Sequence, residues 1–201
     1  QTAAQEALDI SQETQATQEL YGINDEATRE YGTRCLIARR LVERGVRFVQ
    51  LFLAGQPWDN HSNLNSSLSS ICRKTDKPAA GLVKDLKQRG MLDETIVHWG
   101  GDIGRLPVTQ DQGGNAKHGR DHNGQGFSIW FAGGGFKSGT VYGATDELGF
   151  EVAEGEMDNR QLFATIFSAL GIAPHEEYDL PGLPTFYRVE EDVQPIRELL
   201  I

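Results

Sequence analysis

The clearest indication of the fold comes from Thr95-Ile96-Val97-His98-Trp99-Gly100-Gly101-Asp102-Ile103-Gly104-Arg105. A short apolar run typical of a strand passes into a Gly-rich loop that carries a carboxylate and a guanidinium group. A second polar loop, Gly119-Arg120-Asp121-His122, precedes another apolar run at residues 127–132. Open α/β sheets bind their ligands in loops at the carboxyl ends of strands. The two stretches therefore predict a ligand site on an α/β sheet.

Helices and strands alternate on the amino-terminal side of this stretch. A helix is predicted over residues 26–44 because N-cap residues precede a helical apolar pattern that ends at Gly45. Residues 46–53 are apolar on both faces, which predicts an interior strand. A helical pattern over residues 64–90 carries an N-cap and first-turn signal at Asp76 and Pro78, which predicts a restart or a kink there.

The carboxyl-terminal side continues the same pattern. Residues 127–132 form a third predicted strand, residues 141–152 a peripheral hairpin, and Asp158 caps a helix that ends at Gly171. Helices between strands favour a right-handed crossover and a parallel sheet. The predicted class is α/β, with three parallel strands flanked by helices.

Composition excludes two classes of function. The chain has 201 residues, of which 38% are hydrophobic and 24% charged, as in an ordinary globular domain. The net charge of −10 argues against a nucleic-acid surface. The sequence also lacks an apolar run of the roughly 20 residues that a membrane span needs. Cys35 and Cys72 fall inside helical patterns, so we interpret both as half-buried thiols.

Residues 1–22 are polar and without a clean apolar stripe, which predicts a connector, and residues 23–201 are predicted to belong to a single α/β domain. Three parallel strands are few for such a sheet. We therefore expect further strands to come from a segment before Gln1, so that this chain is the carboxyl-terminal portion of a longer protein.

Four side chains are candidate metal ligands: Asp59, His61, Asp102 and His122. Each follows or lies near a predicted strand end, and strand ends of a parallel sheet are neighbours. Carboxylate oxygens and imidazole nitrogens suit zinc and related divalent cations. Each residue also has an ordinary interpretation as a turn, a cap or an exposed loop residue, but their coincidence at one edge favours a shared metal site.

Two arginines accompany these ligands. Arg105 and Arg120 each lie beside a glycine in the polar loops. Guanidinium groups bind sulfate or phosphate oxygens in a bidentate manner. A salt bridge that positions a neighbouring carboxylate is an equally good interpretation. Lys117 and His118 are interpreted as exposed loop surface.

The sequence resembles a bacterial family known as domain of unknown function 1501. The resemblance rests on residues 21–23 and 35–50, on Trp58-Asp59-Asn60-His61, on the two polar loops, and on residues 132–135 and 142–147. That family is grouped with the alkaline phosphatase and sulfatase superfamily. The resemblance implies a mostly parallel sheet flanked by helices, incomplete in this chain, with divalent metal ions (Zn, Ca, Mg or Mn) at strand ends. It also implies a nucleophile outside this chain and export to the periplasm or the medium. Most relatives have Glu in place of Asp102.

Three functions follow as expectations. The first is a metal-dependent hydrolase of sulfate or phosphate esters, small or carried on a glycan, with Asp59, His61, Asp102 and His122 as ligands and Arg105 and Arg120 on the substrate. The second is a non-catalytic metal-containing protein that binds an anionic polysaccharide. The third is a metal-dependent phosphomutase.

Overall fold

The computed structural model describes residues 6–110, 113, 117–179, 181–182 and 186–201. The chain divides into two compact units. The first unit comprises Gln1–Leu92 and Val108–Asp121, and the second comprises Asp93–Pro107 and His122–Ile201. The predicted division at residue 22 into a connector and one domain stays a prediction.

The first unit contains the α-helices α1 (Gln15–Leu20), α2 (Arg29–Glu43) and α3 (Leu64–Gln88), and these follow a helical stretch at residues 6–8 and a 3₁₀ turn at Ile10–Gln12. The predicted helix before Gly45 is confirmed, and Gly45 has the positive φ of a helix end (86°). Of the two alternatives predicted at Pro78, a restart is wrong, because α3 runs continuously through this residue, and a kink stays a prediction. The apolar residues of this unit form a core around Tyr21, Ile23, Cys35 and Leu36.

The part of the predicted connector that is described packs into this core. The carbonyl oxygens of Leu20 and Tyr21 approach α2 and α3 so closely that only glycine fits opposite them. A Cβ on Gly32 would lie 2.2 Å from the Tyr21 oxygen, and one on Gly81 would lie 2.6 Å from the Leu20 oxygen. The two glycines therefore set the spacing at which the amino-terminal segment packs on both helices.

A buried ion network fixes α3, whose first turn lies next to the candidate site. Arg39 on α2 is 2% exposed, and its guanidinium contacts Glu13 at 2.7 Å, Glu43 at 2.7 Å and Asp85 at 2.9 Å. Tyr21 donates its hydroxyl to Asp85 at 2.9 Å. Burial and the Asp85 carboxylate both raise the pKa of Tyr21. Because Asp85 belongs to α3, the network ties this helix to α2 and to the amino-terminal segment.

Among its described residues, the second unit is made of small antiparallel sheets and one α-helix, α4 (Asn159–Ala169). Its strands are β1 (Val97–Trp99), β2 (Gly104–Arg105), β3 (His122–Asn123), β4 (Trp130–Ala132), β5 (Ala144–Thr145), β6 (Val152–Glu154), β7 (Glu177–Tyr178) and β8 (Phe186–Tyr187). They pair as β1–β4, β2–β3, β5–β6 and β7–β8. The mixed helix and strand content agrees with the predicted class, and β5–β6 confirms the predicted hairpin.

The predicted parallel sheet is not found among the described residues. The strands predicted at 95–99 and 127–132 pair, but in antiparallel register, with Trp99 opposite Trp130. A parallel pair needs a crossover, usually helical, and no helix lies among the described residues between β1 and β4. The prediction of parallel pairing for these two strands is therefore wrong.

Residues 46–53 do not form the interior strand that the sequence predicts. The segment has no regular secondary structure, and it takes part in none of the sheets formed by the described part of the chain. Phe48 and Phe52 are 79% and 68% exposed, whereas Leu51, on the opposite face, packs against the core of the first unit. Only one of the two apolar faces is covered.

No described helix combines the length and the apolar composition that crossing a bilayer requires. Both cysteines are free thiols, as predicted, and Cys72 is half-buried, whereas Cys35 is fully buried. Burial raises the pKa of Cys35 to about 12.

Candidate metal centre

The loop that carries Asp59 and His61 is shaped by its own backbone and by one buried amide. The Asp59 N–H donates to the Gln56 carbonyl at 3.1 Å. Asn60 is 8% exposed and its side chain donates to the Pro57 carbonyl at 3.3 Å. Such local bonds hold a turn in one conformation. Asp59 and His61 therefore leave the turn from fixed backbone positions on either side of a buried Asn60.

Residues 108–110 and 117–121 of the same unit lie alongside this loop. The Arg120 N–H donates to the Asn60 carbonyl at 3.0 Å, and Gln110 and Gly119 exchange two backbone bonds of 2.9 and 3.2 Å. A Cβ on Gly119 would lie 2.0 Å from the carbonyl carbon of His61. The approach of the two segments thus requires glycine at position 119, which explains the glycine in this polar loop.

His61 is held from both sides of its ring. Its Nε2 lies 3.1 Å from Asp59 Oδ1, and its Nδ1 lies 2.8 Å from Gln110 Oε1 and 3.7 Å from Asp121 Oδ1. Oxygen atoms therefore face both ring nitrogens, with the Gln110 amide oxygen nearest Nδ1 and the Asp59 carboxylate nearest Nε2. Nε2 then faces a carboxylate oxygen, an arrangement that a proton or a cation on Nε2 stabilises. Histidine metal ligands are commonly oriented in this way, with the second nitrogen donating to an outer oxygen.

His122 begins the second segment of the second unit and directly follows Asp121, the last residue of the first unit. It lies in β3, where its register partner is Arg105 of β2. The neighbouring Asn123 is buried, and its side chain donates to the carbonyl of Phe150 at 2.9 Å. This bond fixes β3, while His122 itself is exposed.

Asp59, His61 and His122 form a possible metal-binding triad of one carboxylate and two imidazoles. His122 directly follows Asp121, whose carboxylate oxygen lies 3.7 Å from Nδ1 of His61. One carboxylate and two imidazoles are a donor set that zinc and other divalent transition metals accept. By the chemistry of its donors, the set fits a divalent cation.

Comparison with known families agrees with the motifs. A family model described as "Protein of unknown function (DUF1501)" matches residues 1–200. The chain belongs to the DUF1501 family. Neither the curated proteins nor the solved structures give a match. Membership in the DUF1501 family therefore supplies neither a fold nor an activity by analogy, because the family itself is described as one of unknown function.

The other predicted site residues of this DUF1501 protein lie in different places. Asp102 is exposed in the loop between β1 and β2 and is not one of the three possible ligands among the described residues. Arg105, in β2, donates through Nη1 to the carbonyl oxygens of Ile103 and Gly104 at 3.4 and 3.1 Å. Arg120 lines a pocket of the first unit. Their predicted contacts with metal or substrate stay predictions.

Two residues at this site escaped the sequence-based prediction. Gln110 and Asp121 both face Nδ1 of His61, yet neither belongs to a metal-binding pattern of spacing. In the sequence, Asp121 is recognisable only as one member of a polar loop. Nothing local in the sequence marks Gln110, because its contact with His61 depends on the backbone bridge to Gly119, nine residues later along the chain.

Proposed function

We propose that this DUF1501 protein binds a divalent metal ion through Asp59, His61 and His122 and hydrolyses sulfate or phosphate esters. The observation that carries the proposal is the geometry of His61. Its Nδ1 faces Gln110 and Asp121, and its Nε2 faces Asp59. This is the orientation of a ligand histidine supported by an outer acceptor.

A bound divalent ion would supply a Lewis acid that polarises the ester and lowers the charge on the departing oxygen. The chain's own residues do the remaining work in this proposal. Asp59 and His61 hold the cation from one fixed turn, and Gln110 keeps the His61 ring in the tautomer that leaves Nε2 for the metal. Arg105 and Arg120 are proposed to contact non-bridging ester oxygens.

Three further parts of the proposal rest on the family resemblance. These are a nucleophile outside residues 1–201, a fold of the alkaline phosphatase and sulfatase type, and export from the cytoplasm. Asp102 is retained as an additional proposed ligand. Its side chain is one methylene shorter than the Glu of most relatives, so it reaches a shorter distance from the backbone.

The test is hydrolysis of aryl sulfate and aryl phosphate esters by the complete gene product after loading with divalent metals. We expect release of the phenol, abolished by chelation and lowered at least about tenfold to a hundredfold by Asp59→Ala. Asp76→Ala, an exposed carboxylate on α3, is the matched control and should keep full activity. Equal rates for Asp59→Ala and Asp76→Ala, or no release with any metal, would contradict the proposal.

A further inference from the structure

A pocket of about 640 Å³ in the first unit lies beside the His61 loop, and none of its described lining residues is one of the three possible metal ligands. Three basic side chains line it together with polar groups from the start of α3. These residues are Asn63, Asn65, Ser66, Lys117, His118 and Arg120. Ligand pockets of several hundred Å³ accept a small molecule or a sugar unit. The pocket is therefore large enough for more than a single ion.

The charge of this lining is one-sided. Lys117 and Arg120 are cationic, and His118 adds an N–H donor, whereas no carboxylate is among the described lining residues. This contrasts with a net charge of −10 over the whole chain. A local concentration of donors and positive charge in an acidic protein favours an oxyanion, which lysine and arginine bind through charge-assisted hydrogen bonds.

Backbone hydrogen bonds hold the basic segment in place. The N–H groups of Asn63 and Leu64 donate to the carbonyl oxygens of Lys117 and His118, each at 3.1 Å. One residue later, Gly119 lies against His61 and bridges to Gln110. Lys117 and His118 thus project from a fixed backbone, so little order has to be gained when an anion binds.

We propose that this pocket binds a second sulfate or phosphate group of the ester substrate, so that the substrate class is an ester carrying at least two oxyanions. The residues that line the pocket are the evidence that it binds an oxyanion. The assignment of this oxyanion to the substrate rests on the proposed function. The link between the two is the chain itself, since Leu64 at the pocket is three residues from His61.

The first arm of the test measures the pocket alone. The affinities of inorganic sulfate and inorganic phosphate are titrated by NMR with all metal chelated. Replacing both exposed side chains, in Lys117→Ala/His118→Ala, should weaken binding of the preferred anion about tenfold. Lys84→Ala, an exposed lysine on α3, is the control and should change nothing. Equal affinity in the double variant and the control would overturn the proposal.

The second arm measures the substrate class with Zn²⁺ loaded. A disaccharide with two sulfate groups should bind about tenfold more tightly than the same disaccharide with one, and a hexose bisphosphate is compared with its monophosphate in the same way. The advantage of the second group should vanish in Lys117→Ala/His118→Ala while the metal content stays that of wild type. An advantage that persists in this variant, or is missing in wild type, would overturn the proposal. If only the proposed metal site were wrong, the protein would bind no Zn²⁺, while the anion affinities measured in the first arm would still be as expected.

Discussion

Replacing Arg39 by methionine should destabilise the first unit by about 3 kcal/mol. Breaking a buried ion pair by removing one partner typically costs about 3–5 kcal/mol, because a charge stays buried without compensation. Arg39 is 2% exposed, and the side chains of Glu13 and Asp85 are 8% and 6% exposed. Glu13 keeps its contact with Arg40, and Asp85 keeps Arg89 at 2.8 Å. These remaining partners put the expected cost at the lower end of the range.

The assay is urea unfolding followed by circular dichroism, with Arg34→Met as the matched control on the same helix. Arg34 pairs with Glu30 across the surface of α2, where the two side chains are 38% and 79% exposed. Exposed pairs contribute about 1 kcal/mol or less. If Arg39→Met lowered the free energy of unfolding by no more than Arg34→Met does, the buried network would not be what holds α2 and α3 together.

Two further predictions concern Glu13 and Gly119. Burial would raise the pKa of Glu13, but hydrogen bonds from Arg40 and Arg39 outweigh it and leave the pKa below 4.5. The ionised Glu13 therefore stabilises the folded state fully above pH 4.5, and this contribution is lost as the pH falls through the lowered pKa of Glu13. In Glu13→Gln the free energy of unfolding should decrease less between neutral and acidic pH than it does in wild type. Urea unfolding between pH 7 and pH 3 measures this, and an acid profile identical to that of the exposed control Glu26→Gln would contradict it. Gly119→Ala forces a Cβ against His61 and should cost about 1–3 kcal/mol and weaken metal binding, whereas Gly101→Ala meets nothing within 4 Å. Equal stability and equal zinc affinity in the two variants would show that the close approach is unimportant.

The fold was predictable where its signals are local. The helix capped by Asp158 forms as expected, because a capping box between Asp158 and Gln161 is encoded within four residues and Gly171 ends it. Strand pairing is not local, and the sequence pattern alone does not specify a partner. The apolar alternation of residues 46–53 therefore predicted a buried strand, whereas Phe48 and Phe52 are exposed.

The candidate site shows the same limit. Asp59 and His61 are two residues apart, so a ligand pair could be inferred from the sequence and the structure joins them at 3.1 Å. The contact between His61 and Gln110 spans 49 residues and depends on the fit of Gly119 against the His61 backbone. No periodicity or spacing rule reports such a contact. Lys117 and His118 are exposed, as expected, but only the folded chain shows that they line a pocket.

The proposed function depends on His61 as a metal ligand whose ring is oriented by Gln110. The most direct measurement is the zinc affinity of the 201-residue chain for wild type, His61→Ala and Gln110→Ala, with Gln88→Ala, an exposed glutamine on α3, as the control. We expect one bound ion in wild type and the control, loss of that ion in His61→Ala, and a zinc affinity lowered about tenfold to a hundredfold in Gln110→Ala. Zinc bound equally well by His61→Ala, or not bound by wild type, would contradict it.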